Sequence, residues 1–178
     1  MTLPRLEAQS LETLAERLGQ ACRHATASVT AAESCTGGGV ASAITDVAGS
    51  SAYFETGYVT YSNAAKTRLL GVPAALIERH GAVSRETVEA MVAGACRDSG
   101  ATLGVAISGV AGPGGGTPDK PVGLVWFAWG DERGCASESR LLDGDRRAIR
   151  EQAVHLALAG LIERLEAADG DAASRVEG

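Results

Sequence analysis

The residues best suited to chemistry in this 178-residue chain are gathered in the stretch Ala31-Ala32-Glu33-Ser34-Cys35-Thr36-Gly37-Gly38-Gly39. A β-prone run, Ser28-Val29-Thr30-Ala31, precedes it, and small apolar residues at helical spacing (Val40, Ala41, Ala43, Ile44, Val47) follow. The pattern predicts a strand, a tight turn and a helix. Such a turn sets the Ser34 hydroxyl at the carboxyl end of a strand, with free N–H groups of the helix start, from Cys35 to Gly38, aimed at the same spot. A nucleophile and an oxyanion site can share one turn of this kind. The same residues also have a structural use, in which Ser and Thr cap the helix and the glycines permit the bend.

A second group follows in Thr60-Tyr61-Ser62-Asn63-Ala64-Ala65-Lys66. It puts Tyr61 at a strand end and Lys66 about one helical turn beyond Asn63, so that both can face one cleft. The plain alternatives are a sheet-edge tyrosine with a wet hydroxyl and a solvated helix lysine. The histidines His24, His80 and His155 are scattered, with no pair at metal-ligand spacing and no acidic orienter beside them. A histidine-based triad is therefore unsupported, and a hydrolase built on this chain needs another base. Ser34 sits in neither G-x-S-x-G nor S-x-x-K. Cys22, Cys35, Cys96 and Cys135 lie far apart without a C-x-x-C pair, which argues for free, buried thiols rather than zinc or a redox motif. Cys35 rivals Ser34 as nucleophile, since a thiol is intrinsically stronger, but it needs a basic neighbour.

The elements that must position these groups alternate along the chain. Apolar residues at Leu6, Leu11, Leu14, Ala15, Leu18 and Ala21 predict a packing helix from Leu6 to Cys22. After the Ser34 turn, Tyr53 to Tyr61 is rich in aromatic and β-branched residues and reads as a strand. Short helices are expected over 63–70, closed by Gly71, and over 73–80, followed by Gly81; a longer one begins near Ser84 and ends at Gly100. Thr102 to Ser108 reads as a strand buried on both faces. Gly109 to Pro121 is a long Gly/Pro-rich loop, and loops of that length inside compact domains are often functional. Val122–Trp129 and Cys135–Leu142 form a hairpin, and a final helix runs from Arg146 to about Ala167, with a frayed tail over 169–178. Together these make one α/β domain, three layers with a mixed central sheet, its core at about 8–166.

Composition narrows the function classes. With 45% hydrophobic residues the chain can bury a substantial single core. A formal charge of −6 argues against nucleic-acid binding, which needs clustered Lys and Arg. No apolar run approaches the roughly 20 residues needed to span a bilayer, and Met1 to Glu12 lacks a signal-peptide core. A cytoplasmic protein with no membrane association is expected, forming a homo-oligomer by the prevalence of symmetric assemblies.

Several blocks occur in a specific order: Ala32-Glu33-Ser34-Cys35-Thr36-Gly37-Gly38, Thr60-Tyr61-Ser62-Asn63, Gly81-Ala82-Val83-Ser84, Ile107-Ser108-Gly109-Val110-Ala111-Gly112-Pro113 and Lys120-Pro121-Val122-Gly123. In this order they resemble the CinA C-terminal family, over about residues 8–166. The resemblance implies a nicotinamide-nucleotide amidohydrolase, converting nicotinamide mononucleotide to nicotinate mononucleotide and ammonia in pyridine-nucleotide salvage, with no metal or other cofactor. Larger members add an N-terminal domain, so this chain is expected to be the stand-alone form. Matched by motif, Ser34 is the nucleophile, Lys66 the base, and Tyr61 stands beside them. Lys66 must then lose its charge, which burial in a low-dielectric cleft achieves, while Tyr61 relays the proton or orients the amine. For the substrate, Cys35, Thr36, Gly37 and Gly38 offer N–H groups, and Asn63, Ser108 and Gly109 line the expected cleft. Arg146 and Arg150 can hold phosphate at a helix start, or instead form surface ion pairs with Asp143 or Asp145. Glu33 pairs with Lys66 or another cation, or is structural. The alternatives are an inactive nucleotide-binding module of the same fold and a DNA-uptake or repair factor, the latter at odds with the acidic charge.

Overall fold

A computed structural model describes residues 6–176. In chain order it contains α1 (Leu11–Ala25), β1 (Val29–Glu33), α2 (Gly39–Thr45), a 3-10 turn (Ser50–Ala52), β2 (Tyr58–Val59), α3 (Asn63–Leu70), α4 (Ala74–His80), α5 (Arg85–Ser99), β3 (Leu103–Gly109), β4 (Leu124–Gly130), β5 (Cys135–Leu141) and α6 (Arg146–Val176). The sheet runs β2-β1-β3-β4-β5. β1 is parallel to both β2 and β3, while β3, β4 and β5 are antiparallel. The expected mixed sheet between two helical layers is what forms.

Strand alternation sorts the core into two halves. Val29 and Ala31 of β1, Val105 and Ile107 of β3, and Val125, Phe127 and Trp129 of β4 face α1, α2 and α6. Ala32, Ala106 and Ala128 point the other way, toward α5. These three alanines lie side by side in register, Ala32 opposite Ala106 and Ala106 opposite Ala128. Their small side chains let α5 sit close on the sheet. Gly94 does the same between helices, since a Cβ there would run into the Leu70 carbonyl at the end of α3. On the opposite face, α6 is tied to β4 by the Trp129 indole N–H, which donates to the Ala157 carbonyl at 3.0 Å. That bond satisfies a buried donor and fixes α6 across the sheet.

Three element boundaries differ from expectation by more than three residues. The helix expected from Leu6 is interrupted: Leu6 and Glu7 are helical, a turn follows over 8–10, and α1 starts at Leu11, where the Ser10 side chain caps it by accepting from the Thr13 N–H. The strand expected over Tyr53–Tyr61 shrinks to Tyr58–Val59, with an isolated bridge from Phe54 to Val29. Tyr53 is aromatic for packing instead, buried against Gly19 of α1. The backbone of α6 stays helical to Val176 rather than ending near Ala167, as an alanine-rich segment without proline permits. Residues 1–5 and 177–178 lie outside the described residues.

Candidate active site

The parallel strands β1, β2 and β3 end on one side of the sheet, the edge at which open α/β folds place ligands. The β1 ladder runs one residue past its assigned end, with the Ser34 N–H donating to the Ile107 carbonyl at 3.0 Å. On the other flank the Thr60 N–H donates to the Glu33 carbonyl at 2.8 Å. Ser34 and Thr60 are thus fixed at neighbouring strand ends. The pleat then sends consecutive side chains to opposite faces.

Glu33 turns toward α2. Its carboxylate accepts from the N–H groups of Gly38 (3.1 Å), Val40 (3.1 Å) and Ala41 (2.9 Å), so it caps that helix from the strand before it. Of the uses foreseen for Glu33, the structural one is realised. The turn between them is possible because Gly37 and Gly38 adopt φ of 59° and 98°, the left-handed region.

Ser34 turns toward α3. There the Lys66 Nζ donates to Ser34 Oγ at 3.1 Å and to the Thr60 carbonyl at 2.8 Å. Lys66 gets there because Ser62 caps α3 by accepting from the Ala65 N–H at 3.1 Å, which places Lys66 and Leu70 one turn apart on the buried face. Ser34 is 9% exposed and Lys66 only 1%. Among the described residues no carboxylate is paired with Lys66, and burial lowers its pKa from the ordinary lysine value. In its neutral form an amine in this position has a lone pair for the Ser34 proton while still donating to the Thr60 carbonyl. That carbonyl, a backbone group, orients the base and has no signature in a sequence.

The turn supplies the complementary donors. The Gly37 N–H returns to the Ser34 carbonyl at 3.1 Å, and the Gly38 N–H goes to Glu33. The Thr36 N–H has no acceptor among the described residues, and the Cys35 N–H has none beyond its own thiol. The hydroxyls of Thr36 and Thr60 are also buried without a partner. Unpaired polar groups are costly in a protein interior; of the four such side-chain atoms among the described residues, two belong to the Ser34 turn and to the residue paired with Glu33 at the end of β2. Cys35 does not compete as nucleophile: burial pushes its thiol up to about 11, so it stays protonated at neutral pH.

The remaining predicted residues divide. Ser108 and Gly109 close β3 next to Ser34, since Glu33 is in register with Ile107. Tyr61 is 62% exposed and its hydroxyl accepts from Arg146 at 3.0 Å, while the hydrogen bonds of the Lys66 amine go to Ser34 and to the Thr60 carbonyl. Arg146 also donates to the Gly112 carbonyl at 2.9 Å, joining the start of α6 to the Gly/Pro-rich loop. Arg150 makes no ion pair with Asp143 or Asp145; it donates to the carbonyls of Cys35 (3.0 Å) and Thr36 (3.1 Å). Asn63 is exposed on α3 and borders a separate hollow of about 440 Å³ with Thr67, Arg68 and Ile77. Lys120 anchors the Gly/Pro-rich loop by donating to the His80 carbonyl at 2.6 Å. Among the described residues no cluster of three or more His, Cys, Asp or Glu is arranged to hold a metal.

An α/β/α sandwich that presses a serine hydroxyl against a buried amine at the ends of its parallel strands has the make-up of a serine–lysine hydrolase. Residues 11–165 match the CinA C-terminal domain, and the chain belongs to that family. A Pseudomonas putida protein named nicotinamide-nucleotide amidohydrolase PncC is 63% identical over 153 residues, covering 86% of this chain and 96% of its own length. The Escherichia coli K12 protein of the same name is 52% identical over 149 residues, covering 83% and 90%. Among solved structures, a CinA superfamily protein from Klebsiella pneumoniae superposes with a TM-score of 0.85 at 39% identity, over 89% of this chain and 99% of that one. The competence/damage-inducible protein CihA from Agrobacterium tumefaciens gives 0.83 at 44% identity, over 88% and 95%.

Proposed function

We propose that the protein is a nicotinamide-nucleotide amidohydrolase that converts nicotinamide mononucleotide to nicotinate mononucleotide and ammonia. The observation that carries the reading is the 3.1 Å approach of Lys66 Nζ to Ser34 Oγ in a buried setting. Neutral Lys66 takes the Ser34 proton as Oγ bonds to the carboxamide carbon, and the carbonyl electrons move onto oxygen. That oxyanion is met by the Cys35 and Thr36 N–H groups, a contribution of roughly 3–4 kcal/mol in comparable sites. The protonated amine then passes its proton to the departing nitrogen. The C–N bond breaks, ammonia leaves and an ester to Ser34 remains. Water, deprotonated by Lys66, opens the ester and returns Ser34 and the free acid.

Tyr61 and Arg146, joined at the rim, are assigned to the nucleotide's phosphate end, with Ser108 and Gly109 toward the ring and ribose. The protein acts in the cytoplasm as a homo-oligomer, in pyridine-nucleotide salvage, without nucleic acid or membrane. The net charge of −6 supports the exclusion of nucleic acid, and no described helix is long and apolar enough to cross a membrane. Incubation of the purified protein with nicotinamide mononucleotide is expected to release ammonia and nicotinate mononucleotide in equal amounts, with or without chelator. Absence of ammonia release would refute the reading.

A further inference from the structure

Arg150 lies 114 to 116 residues along the chain from the Ser34 turn, yet both of its hydrogen bonds end on that turn, Nε on the Cys35 carbonyl at 3.0 Å and Nη2 on the Thr36 carbonyl at 3.1 Å. These carbonyls belong to two consecutive peptide units, 35–36 and 36–37. Each unit is planar and trans, so its N–H points opposite to its C=O. Holding the Cys35 carbonyl toward α6 therefore turns the Thr36 N–H away from α6. That is the side of the sheet on which Lys66 meets Ser34 Oγ. Holding the Thr36 carbonyl likewise sets the Gly37 N–H, which closes onto the Ser34 carbonyl at 3.1 Å.

Two left-handed glycines follow immediately; the 36–37 unit is tied within the turn by the Gly37 N–H to the Ser34 carbonyl and the Gly39 N–H to the Thr36 carbonyl, both at 3.1 Å, whereas the 35–36 unit has no such tie and depends on Arg150. A planar fork with two parallel donors is the group that can fix both at once; a lysine can reach one. Its charge also polarises the two units and strengthens their N–H groups as donors. The contact is close enough that a Cβ on Gly37 would meet Arg150 Nη2 at 3.3 Å.

We propose that Arg150 is a positioning residue: it locks two peptide planes of the nucleophile turn so that the Thr36 N–H is presented to the oxyanion, and it does not bind the substrate's phosphate. The role in turnover rests on the amidohydrolase reading above; the role in turn geometry does not. In Arg150→Ala and Arg150→Lys, kcat is expected to fall roughly 100-fold, the scale of losing one oxyanion donor, while KM stays within about threefold. Free guanidinium at non-denaturing concentration is expected to restore part of the kcat of Arg150→Ala. Amide exchange of the 34–39 segment should rise at least about tenfold in both variants, with protection in β3 and β4 unchanged; this readout needs no turnover and shows whether the variants are folded. A raised KM with unchanged kcat would overturn the proposal in favour of phosphate binding. Unaltered exchange over 34–39 would overturn it even if the wild type hydrolysed no nucleotide, an outcome that separately refutes the proposed activity.

Discussion

Glu33 and Ser34 are neighbours in the chain and belong to different kinds of site. On the α2 side, the Glu33 carboxylate receives three backbone N–H groups, with both oxygens engaged. On the α3 side, Ser34 meets a buried amine, and among the described residues the Thr36 N–H lacks an acceptor and the Thr36 and Thr60 hydroxyls have no partner. A polar group serving the fold is surrounded by partners, whereas groups serving a reaction are held in place and left short of them. One strand delivers both because its pleat separates them by a single residue. The separation also keeps the carboxylate off Lys66, where a paired negative charge would favour the ammonium and silence the base.

The contrast is sharpest in the reactive half. Ser34→Ala and Lys66→Met are each expected to cut ammonia release by about 10⁴-fold, and the double variant by no more than either single, since the two act as one unit. Additive losses would mean that they work independently. Glu33→Gln should do the reverse. It weakens a charged cap on α2 and is expected to cost about 2 kcal/mol in urea unfolding, a larger loss of stability than Ser34→Ala causes. A Glu33→Gln protein as stable as wild type would break the division of labour.

A smaller effect concerns the cost of keeping Lys66 uncharged. Its pKa is lowered in the folded state, so the unfolded chain binds more protons between that lowered value and 10.5. Wild-type stability should therefore rise with pH across that window and be independent of this group below the lowered value, where both states are protonated. Lys66→Met lacks this slope, and near neutral pH it should be more stable than wild type by about 1 kcal/mol. Urea titrations at several pH values measure both.

Much of this was legible from residue order. The strand-turn-helix around Ser34, the buried β3, the β4–β5 hairpin and the capped start of α3 all follow from local pattern, and the ordered blocks point to the family. What local pattern could not show is contact between distant segments. Tyr53 carries the composition of a strand, but its ring is used against Gly19 of α1. Arg150 looks like a surface cation until α6 is laid across β4 and its fork reaches the turn. The Tyr61 hydroxyl, expected to relay a proton or orient the amine, bonds to Arg146 across 85 residues, and the group that bonds Lys66 is the Thr60 carbonyl. The use of Glu33 had a signal, an acidic residue just ahead of a glycine-rich helix start. Ser10, three residues before Thr13, likewise signalled the true start of α1.

The central claim is that the Lys66 amine is neutral when Ser34 needs a base. The sequence holds just two lysines, Lys66 and Lys120, so side-chain NMR of isotopically labelled lysine resolves them, with Lys66→Met assigning the signals. The account predicts that the Lys66 signal titrates well below 10.5 and that its midpoint matches the rising limb of kcat/KM against pH. A Lys66 that titrates in the ordinary lysine range, with turnover already at its plateau below that midpoint, would contradict it.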